Sequence, residues 1–189
     1  MTRRGGRSPG PRVNSLKVSA MRSFVIMLSL LLAAPLHAME IIEEESTLGF
    51  SVLVGEREVS GAFKDWSADI DFEARQITVA VRTASATTGD DLLDSILHGA
   101  GWLDSLVFPN ASFTSVDITE TAGSHIATGI LVVRDVRLPL TVIIDQVGAK
   151  ASFLYSVNAT LDRTAVGMEG FTGTVSQTVD VTGKITVIP

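Results

Sequence analysis

Few side chains in this sequence have both the type and the spacing that chemistry needs. Two of its three histidines, His98 and His125, follow the N-terminal apolar segment, and their separation fits no H-x-x-x-H metal motif. The chain contains no cysteine, which excludes disulfides, thiolate zinc ligands and a cysteine nucleophile. It also has no G-x-S-x-G serine elbow. The sequence therefore predicts no catalytic residues and no metal site.

The remaining candidates for a functional site are a group of four aspartates between residues 90 and 104 and one arginine, Arg163. The acidic group has two readings: a cation site, or the start of a helix, where the helix dipole favours carboxylates. We favour the helix start, because a capping sequence lies in the same stretch. Arg163 is the other candidate, since an arginine in a loop near a barrel end either holds a ligand head group or satisfies loop carbonyls. The acidic residues are Asp90, Asp91, Asp94 and Asp104.

The elements that would position these residues are mostly strands. From about residue 45 onward apolar residues alternate with polar ones, most clearly at Trp66, Ala68 and Ile70. This period of two is typical of strands with one buried face. The stretch 90–104 breaks the pattern, because apolar residues recur there at helical spacing. The sequence predicts an all-β domain of about eight antiparallel strands, with a short helical insert over one end.

The N-terminal residues have a different composition from the rest. Residues 1–20 are basic and lack periodicity, and they form an extension that is not translated if Met21 is the initiator. Residues 21–38 combine Arg22, an uncharged apolar run of 11 residues and a small-residue cleavage site. This order is typical of a secretory signal peptide. The run is too short to cross a bilayer, which needs about 20 residues. We therefore predict export and no integral membrane span.

Charge supports this division of the chain and excludes one class of partner. The first 38 residues hold six of the 15 basic residues and none of the 21 acidic ones. The remainder therefore has nine basic and 21 acidic residues, a net charge of −12. A nucleic-acid binder needs a basic face for phosphate contacts. We predict that the protein does not bind nucleic acid.

Five segments, in this order and at this spacing, carry a resemblance to a known family. They are Ser46-x-x-Gly49-Phe50-x-Val52, Val59-x-Gly61-x-Phe63-x-x-Trp66, Trp102-Leu103-Asp104 followed by Phe108-Pro109-x-Ala111-x-Phe113, Gly129-x-Leu131-x-Val133-Arg134-x-Val136, and Arg163-x-x-x-Gly167. Together they resemble the YceI-like family of exported proteins over roughly residues 45–188. One departure is Asp135, where the family usually has glycine.

The resemblance implies a single eight-stranded antiparallel lipocalin-like barrel over residues 39–189, whose apolar lumen would hold a polyisoprenoid chain. An eight-stranded barrel either packs its interior or holds one small ligand. We predict that the inward-facing apolar residues line such a lumen, with Arg163 as the head-group candidate. The lumen candidates are Phe50, Val52, Phe63, Trp66, Phe72, Leu93, Leu97, Trp102, Phe113, Leu140, Val142, Phe153 and Tyr155.

The leading hypothesis is a periplasmic carrier of an isoprenoid-type lipid or quinone, which has no other cofactor and catalyses no reaction. One alternative is a stress-response or structural partner protein with an incidental cavity. A further alternative is an enzyme that acts on an apolar substrate inside the barrel. A homodimer is compatible with the pattern, although no segment of the sequence marks an interface.

Overall fold

A computed structural model of the chain describes residues 39–149 and 153–188. The predicted extension (1–20) and signal peptide (21–38) lie outside the described residues. The described part is all-β with one short helix, α1 (Asp91–Leu97), and three 3-10 turns at Glu43–Glu45, Thr83–Ser85 and Thr164–Val166. The strands are β1 (Glu40–Ile41), β2 (Thr47–Val54), β3 (Arg57–Phe63), β4 (Trp66–Asp71), β5 (Gln76–Arg82), β6 (Ala86–Thr87), β7 (Asn110–Thr121), β8 (Ser124–Val133), β9 (Val136–Ala149), β10 (Phe153–Asp162) and β11 (Val175–Ile188).

These strands form one antiparallel sheet of eleven strands, not the eight predicted from the sequence. The order across the sheet is β4-β5-β7-β8-β9-β10-β11-β2-β3-β6, and β1 pairs with β11. Two of the additional strands, β1 and β6, are only two residues long. The sequence pattern marked neither of these two short strands.

Strands β3 and β4 do not pair with each other, which leaves the sheet open. β3 pairs with β2 and briefly with β6, whereas β4 pairs only with β5. The hydrogen bond from Lys64 N–H to the Ser85 carbonyl (3.2 Å) continues the pairing of β3 with β6, and that from Arg82 N–H to the Asp65 carbonyl (2.9 Å) continues the pairing of β4 with β5. The fold is therefore a curled half-barrel with a seam, rather than the lipocalin-like barrel that the resemblance implied.

The inner face of the curled sheet carries two apolar clusters. The larger cluster contains Ile70, Ile144 and Tyr155, all nearly inaccessible to solvent. The smaller one contains Leu103 and Met168, and Leu97 of α1 packs against it. Alternation along the strands explains this arrangement, because side chains two residues apart share a face of the sheet.

Two glycines allow aromatic rings to lie flat against the inner face. A Cβ atom on Gly61 would overlap the Phe50 ring and would lie 2.7 Å from the Thr87 carbonyl oxygen. A Cβ atom on Gly129 would lie 2.7 Å from Cζ of Phe113. Both positions therefore need glycine for space, and not for an unusual backbone angle.

Replacement of Gly61 tests this packing. We expect Gly61→Ala to lower the free energy of unfolding by about 1–3 kcal/mol, because the Phe50 ring must leave its position. Gly101→Ala is the matched control, since its Cβ would meet the nearest atom at an ordinary 3.4 Å. Urea unfolding of both variants measures the difference. Equal stability of the two variants would contradict the packing account.

Candidate ligand-binding site

The inner face encloses an apolar cavity of about 460 Å³. Strands β2 to β5 and β7 to β11 line it, together with α1 and the loop that follows β10. Ten of the thirteen predicted lumen residues are among the lining residues. They are Phe50, Val52, Phe63, Trp66, Leu93, Leu97, Trp102, Phe113, Leu140 and Val142.

The lining contains very little polar chemistry. No charged side chain of the described residues lines the cavity, and its only hydroxyl groups belong to Thr83, Thr88, Ser112 and Thr174. Thr83 donates its hydroxyl to the Phe108 carbonyl (2.7 Å), and Thr88 donates to a carboxylate oxygen of α1 (2.7 Å). The cavity therefore offers a ligand apolar burial and almost no hydrogen bonds.

The cavity opens between α1 and the loop 167–174. Leu93 on the helix and Phe171 and Thr174 on the loop both line the cavity and are exposed to solvent. The Gly170 N–H donates to the Gly101 carbonyl (2.8 Å), which holds the loop against the segment after the helix. We call this opening the mouth.

Asp90 and Asp94 fix the start of the helix beside the mouth. The Asp90 carboxylate accepts hydrogen bonds from the N–H groups of Leu92 (2.9 Å) and Leu93 (3.0 Å), which confirms it as the helix cap. The Asp94 carboxylate accepts hydrogen bonds from the hydroxyls of Thr87 (2.6 Å) and Thr88 (2.7 Å) and from the Thr88 N–H (2.6 Å). The hydrogen bond from Thr87 is the main reason that the pKa of Asp94 is lowered, followed by those from Thr88. Two of the four acidic residues, Asp90 and Asp94, thus organise α1 and the turn before it.

Arg163 is fully buried and does not line the cavity. Its guanidinium donates to the carbonyl oxygens of Ser176 (2.7 Å), Val175 (3.1 Å) and Met168. Its Cζ lies 4.8 Å from the centroid of the Trp102 ring. Burial lowers the pKa of Arg163, and neighbouring Asp162 partly opposes this shift. The structure thus directs Arg163 at backbone carbonyls of the loop and of the start of β11, close to the second interpretation of the sequence, and not into the cavity.

A second arginine, Arg134, was not identified as a site residue from the sequence. It begins the two-residue turn between β8 and β9, where both Arg134 and Asp135 have positive φ values (50° and 61°). That conformation belongs to tight hairpins, and aspartate tolerates it in place of the usual glycine. Nη1 of Arg134 donates to the carbonyls of Ala100 (3.0 Å), Trp102 (2.7 Å) and Gly167 (2.7 Å). The sequence signal that could have identified Arg134 is its position in the hairpin motif that begins at Gly129.

Comparison with known proteins places this geometry in a family. The sequence profile of the YceI-like domain matches residues 39–187. The chain belongs to the YceI-like family. A comparison with curated proteins finds no match. The fold also recurs in solved structures, and those described next share 14–21% identity with this chain.

Three solved structures illustrate the similarity of fold. BcnA of Burkholderia cenocepacia is 20% identical, with a TM-score of 0.72 over 78% of this chain and 99% of that one. The YceI protein of Campylobacter jejuni is 21% identical, with a TM-score of 0.63 over 69% and 85% of the two chains. A polyisoprenoid-binding domain from Saccharophagus degradans, implicated in plant cell wall breakdown, is 14% identical, with a TM-score of 0.63 over 80% and 98%.

Three predicted lumen residues of this YceI-like chain lie beyond the cavity. Phe72, Phe153 and Tyr155 do not line it. The Phe72 ring stacks on His125, with centroids 3.9 Å apart, and lies 5.5 Å from the Tyr155 ring. The Phe153 and Tyr155 centroids are 6.5 Å apart. Alternation along the strands predicts that these rings face inward, but it does not predict how far the empty space extends.

No helix among the described residues has the length and hydrophobicity needed to cross a bilayer. Within residues 39–149 and 153–188, no group of three or more His, Asp or Glu side chains is placed to hold a metal ion.

Replacement of Arg163 separates its two roles. We expect Arg163→Lys to lower the free energy of unfolding by at least about 3 kcal/mol, because lysine keeps the charge but leaves buried carbonyls without donors. Exposed Arg137 supplies the control, and Arg137→Lys should change stability by less than about 0.5 kcal/mol. Thermal and urea unfolding measure both effects. If the Arg163→Lys protein is as stable as the unmodified protein, the structural role is contradicted and Arg163 is again a candidate contact for a ligand head group.

Proposed function

We propose that this protein binds and carries an isoprenoid-type lipid or quinone whose apolar chain occupies the cavity, and that it catalyses no reaction. The observation that carries this proposal is the cavity itself. It is apolar on every side that the described residues form, and it opens at the mouth between Leu93 and Phe171. A volume of about 460 Å³ lies within the range of small-molecule sites.

Burial of the chain supplies the binding free energy. Each methylene group removed from water contributes about 0.8 kcal/mol, and the cost of ordering a flexible chain offsets part of this gain. A cavity without charged groups favours such a ligand over a polar one, because a buried polar group without a partner is costly. Chain length and shape, more than hydrogen bonding, would then decide which ligand binds.

Carriage without catalysis agrees with the polar groups that are present. An enzyme acting on an apolar substrate needs an acid, a base or a nucleophile that reaches into the site. Two of the four hydroxyls that line the cavity, those of Thr83 and Thr88, already donate hydrogen bonds, and no ionisable side chain of the described residues faces the cavity. The polyisoprenoid-binding domain from Saccharophagus degradans, which has a similar fold, provides a further reason to choose this ligand class.

The proposed site of action is the periplasm. This rests on the signal-peptide pattern of residues 21–38 and on membership of a family whose members are typically periplasmic. Fractionation of cells that express the full chain tests it. Recovery in the cytoplasmic fraction at full length would contradict export.

A pair of neighbouring substitutions tests the site of binding. Val52 on β2 lines the cavity, whereas Leu53 faces outward and is 50% exposed. We expect Val52→Phe to weaken binding of an all-trans prenol by at least about tenfold, equivalent to 1.4 kcal/mol, because the added ring occupies the cavity. Leu53→Phe adds the same ring on the other face and should leave affinity unchanged.

Displacement of a fluorescent apolar probe measures both affinities, and thermal unfolding confirms that both variants fold. Equal affinity of the folded Val52→Phe and Leu53→Phe proteins would place the ligand outside the cavity. Failure of the unmodified protein to bind any prenol or quinone would contradict the proposed function.

A further inference from the structure

We propose that a layer of stacked rings closes the inner end of the cavity and sets the longest isoprenoid chain that it accepts. This inference rests on the proposed function. We call the layer the aromatic floor, and its members are Phe72, His125, Phe153 and Tyr155. Nothing in the strand pattern requires closure at this level, so these side chains determine where the cavity ends.

The register of the strands shows that the cavity ends where the floor begins. Val157 on β10 lines the cavity, but Tyr155, two residues earlier on the same face, does not. Ile185 on β11 lies opposite Tyr155 and lines the cavity, whereas Val187, two residues further, is fully buried and does not. On β11 the lining thus reaches the level of Tyr155, two residues further than on β10, and on both strands it stops where the floor residues begin.

The residues along β4 also stop lining the cavity where the floor begins. Ile70 lines the cavity and is 4% exposed, and Phe72 is the next residue on that side. The Phe72 ring then crosses the interior, with stacking on His125 at 3.9 Å and contact with Tyr155 at 5.5 Å. Rings from β8, β10 and the end of β4 thus meet across the curled sheet and block the path of an extending chain.

The rings of the floor are held in place from several sides. Tyr155 is only 5% exposed and belongs to the larger apolar cluster, against which Phe72 and Phe153 also pack. Burial raises the pKa of the Tyr155 hydroxyl, so the ring stays neutral well into the alkaline range. A growing apolar chain would have to displace several packed rings at once, and a length limit follows.

Opposite substitutions should shift this limit in opposite directions. Phe72→Ala removes a ring from the floor and should extend the limit by at least one isoprene unit. Val157→Phe adds a ring above the floor and should shorten the limit by at least one unit. Tyr155→Phe keeps the ring and should leave the limit unchanged, and Leu53→Ala, on the outer face, controls for loss of apolar side-chain volume.

The measurement is a series of all-trans prenols, each one isoprene unit longer than the last, which displace a fluorescent probe from the purified protein. For the unmodified protein, affinity should rise with chain length and then level off at the limit. Below the limit, each methylene newly buried should raise affinity by up to about fourfold.

Each outcome decides a separate question. A shift in the plateau for Phe72→Ala or for Val157→Phe, in the predicted direction, supports the floor even if the other variant does not fold. The same plateau in the unmodified protein and in both folded variants would overturn the floor and leave the proposed function intact. If the unmodified protein binds no prenol, the proposed function fails, and this inference fails with it.

Discussion

An apolar inner face that its own side chains do not fill is the constraint on which the rest of this structure depends. The strands of the curled sheet turn valine, leucine, isoleucine and phenylalanine inward, yet about 460 Å³ remains between the two apolar clusters. Apolar cavities of this kind lose dispersion contacts on every wall. An apolar chain that enters the cavity restores those dispersion contacts and is itself removed from water. Both effects contribute to the affinity for a ligand.

Hydrogen bonds from arginine side chains to backbone carbonyls explain how the irregular loop at the mouth keeps its conformation. The loop after β10 is irregular, and its carbonyls would lack partners if the chain did not supply donors. Arg163 donates to one carbonyl of this loop and to two at the start of β11, and Arg134 donates to one carbonyl of the loop and to two in the segment after α1. Both guanidiniums also lie over aromatic rings, of Trp102 and Phe108. The charged residues of this region therefore shape the opening, while the ligand would contact only apolar groups.

The sequence predicts the face of each strand much better than it predicts how the strands close. Alternation identified the inward residues Phe50, Trp66 and Val142, and the acidic residues at 90–94 identified the helix start, because both signals are local. The pairing of the two-residue strands β1 and β6, and the seam between β3 and β4, depend on distant parts of the chain. The predicted count of about eight strands was therefore too low, and the open seam was not predicted. Likewise, the sequence pattern around an inward-facing ring is the same whether the ring lines a cavity or closes it, as Tyr155 shows.

Mass spectrometry of an organic extract tests the central claim most directly. The protein would be purified without detergent from cells that express the full chain, extracted, and compared with the native material by thermal unfolding. The account predicts close to one isoprenoid-type molecule for each protein chain and a lower melting temperature after extraction, because a ligand bound only to the folded state stabilises it. An extract without any stoichiometric apolar molecule, together with an unchanged melting temperature, would contradict it.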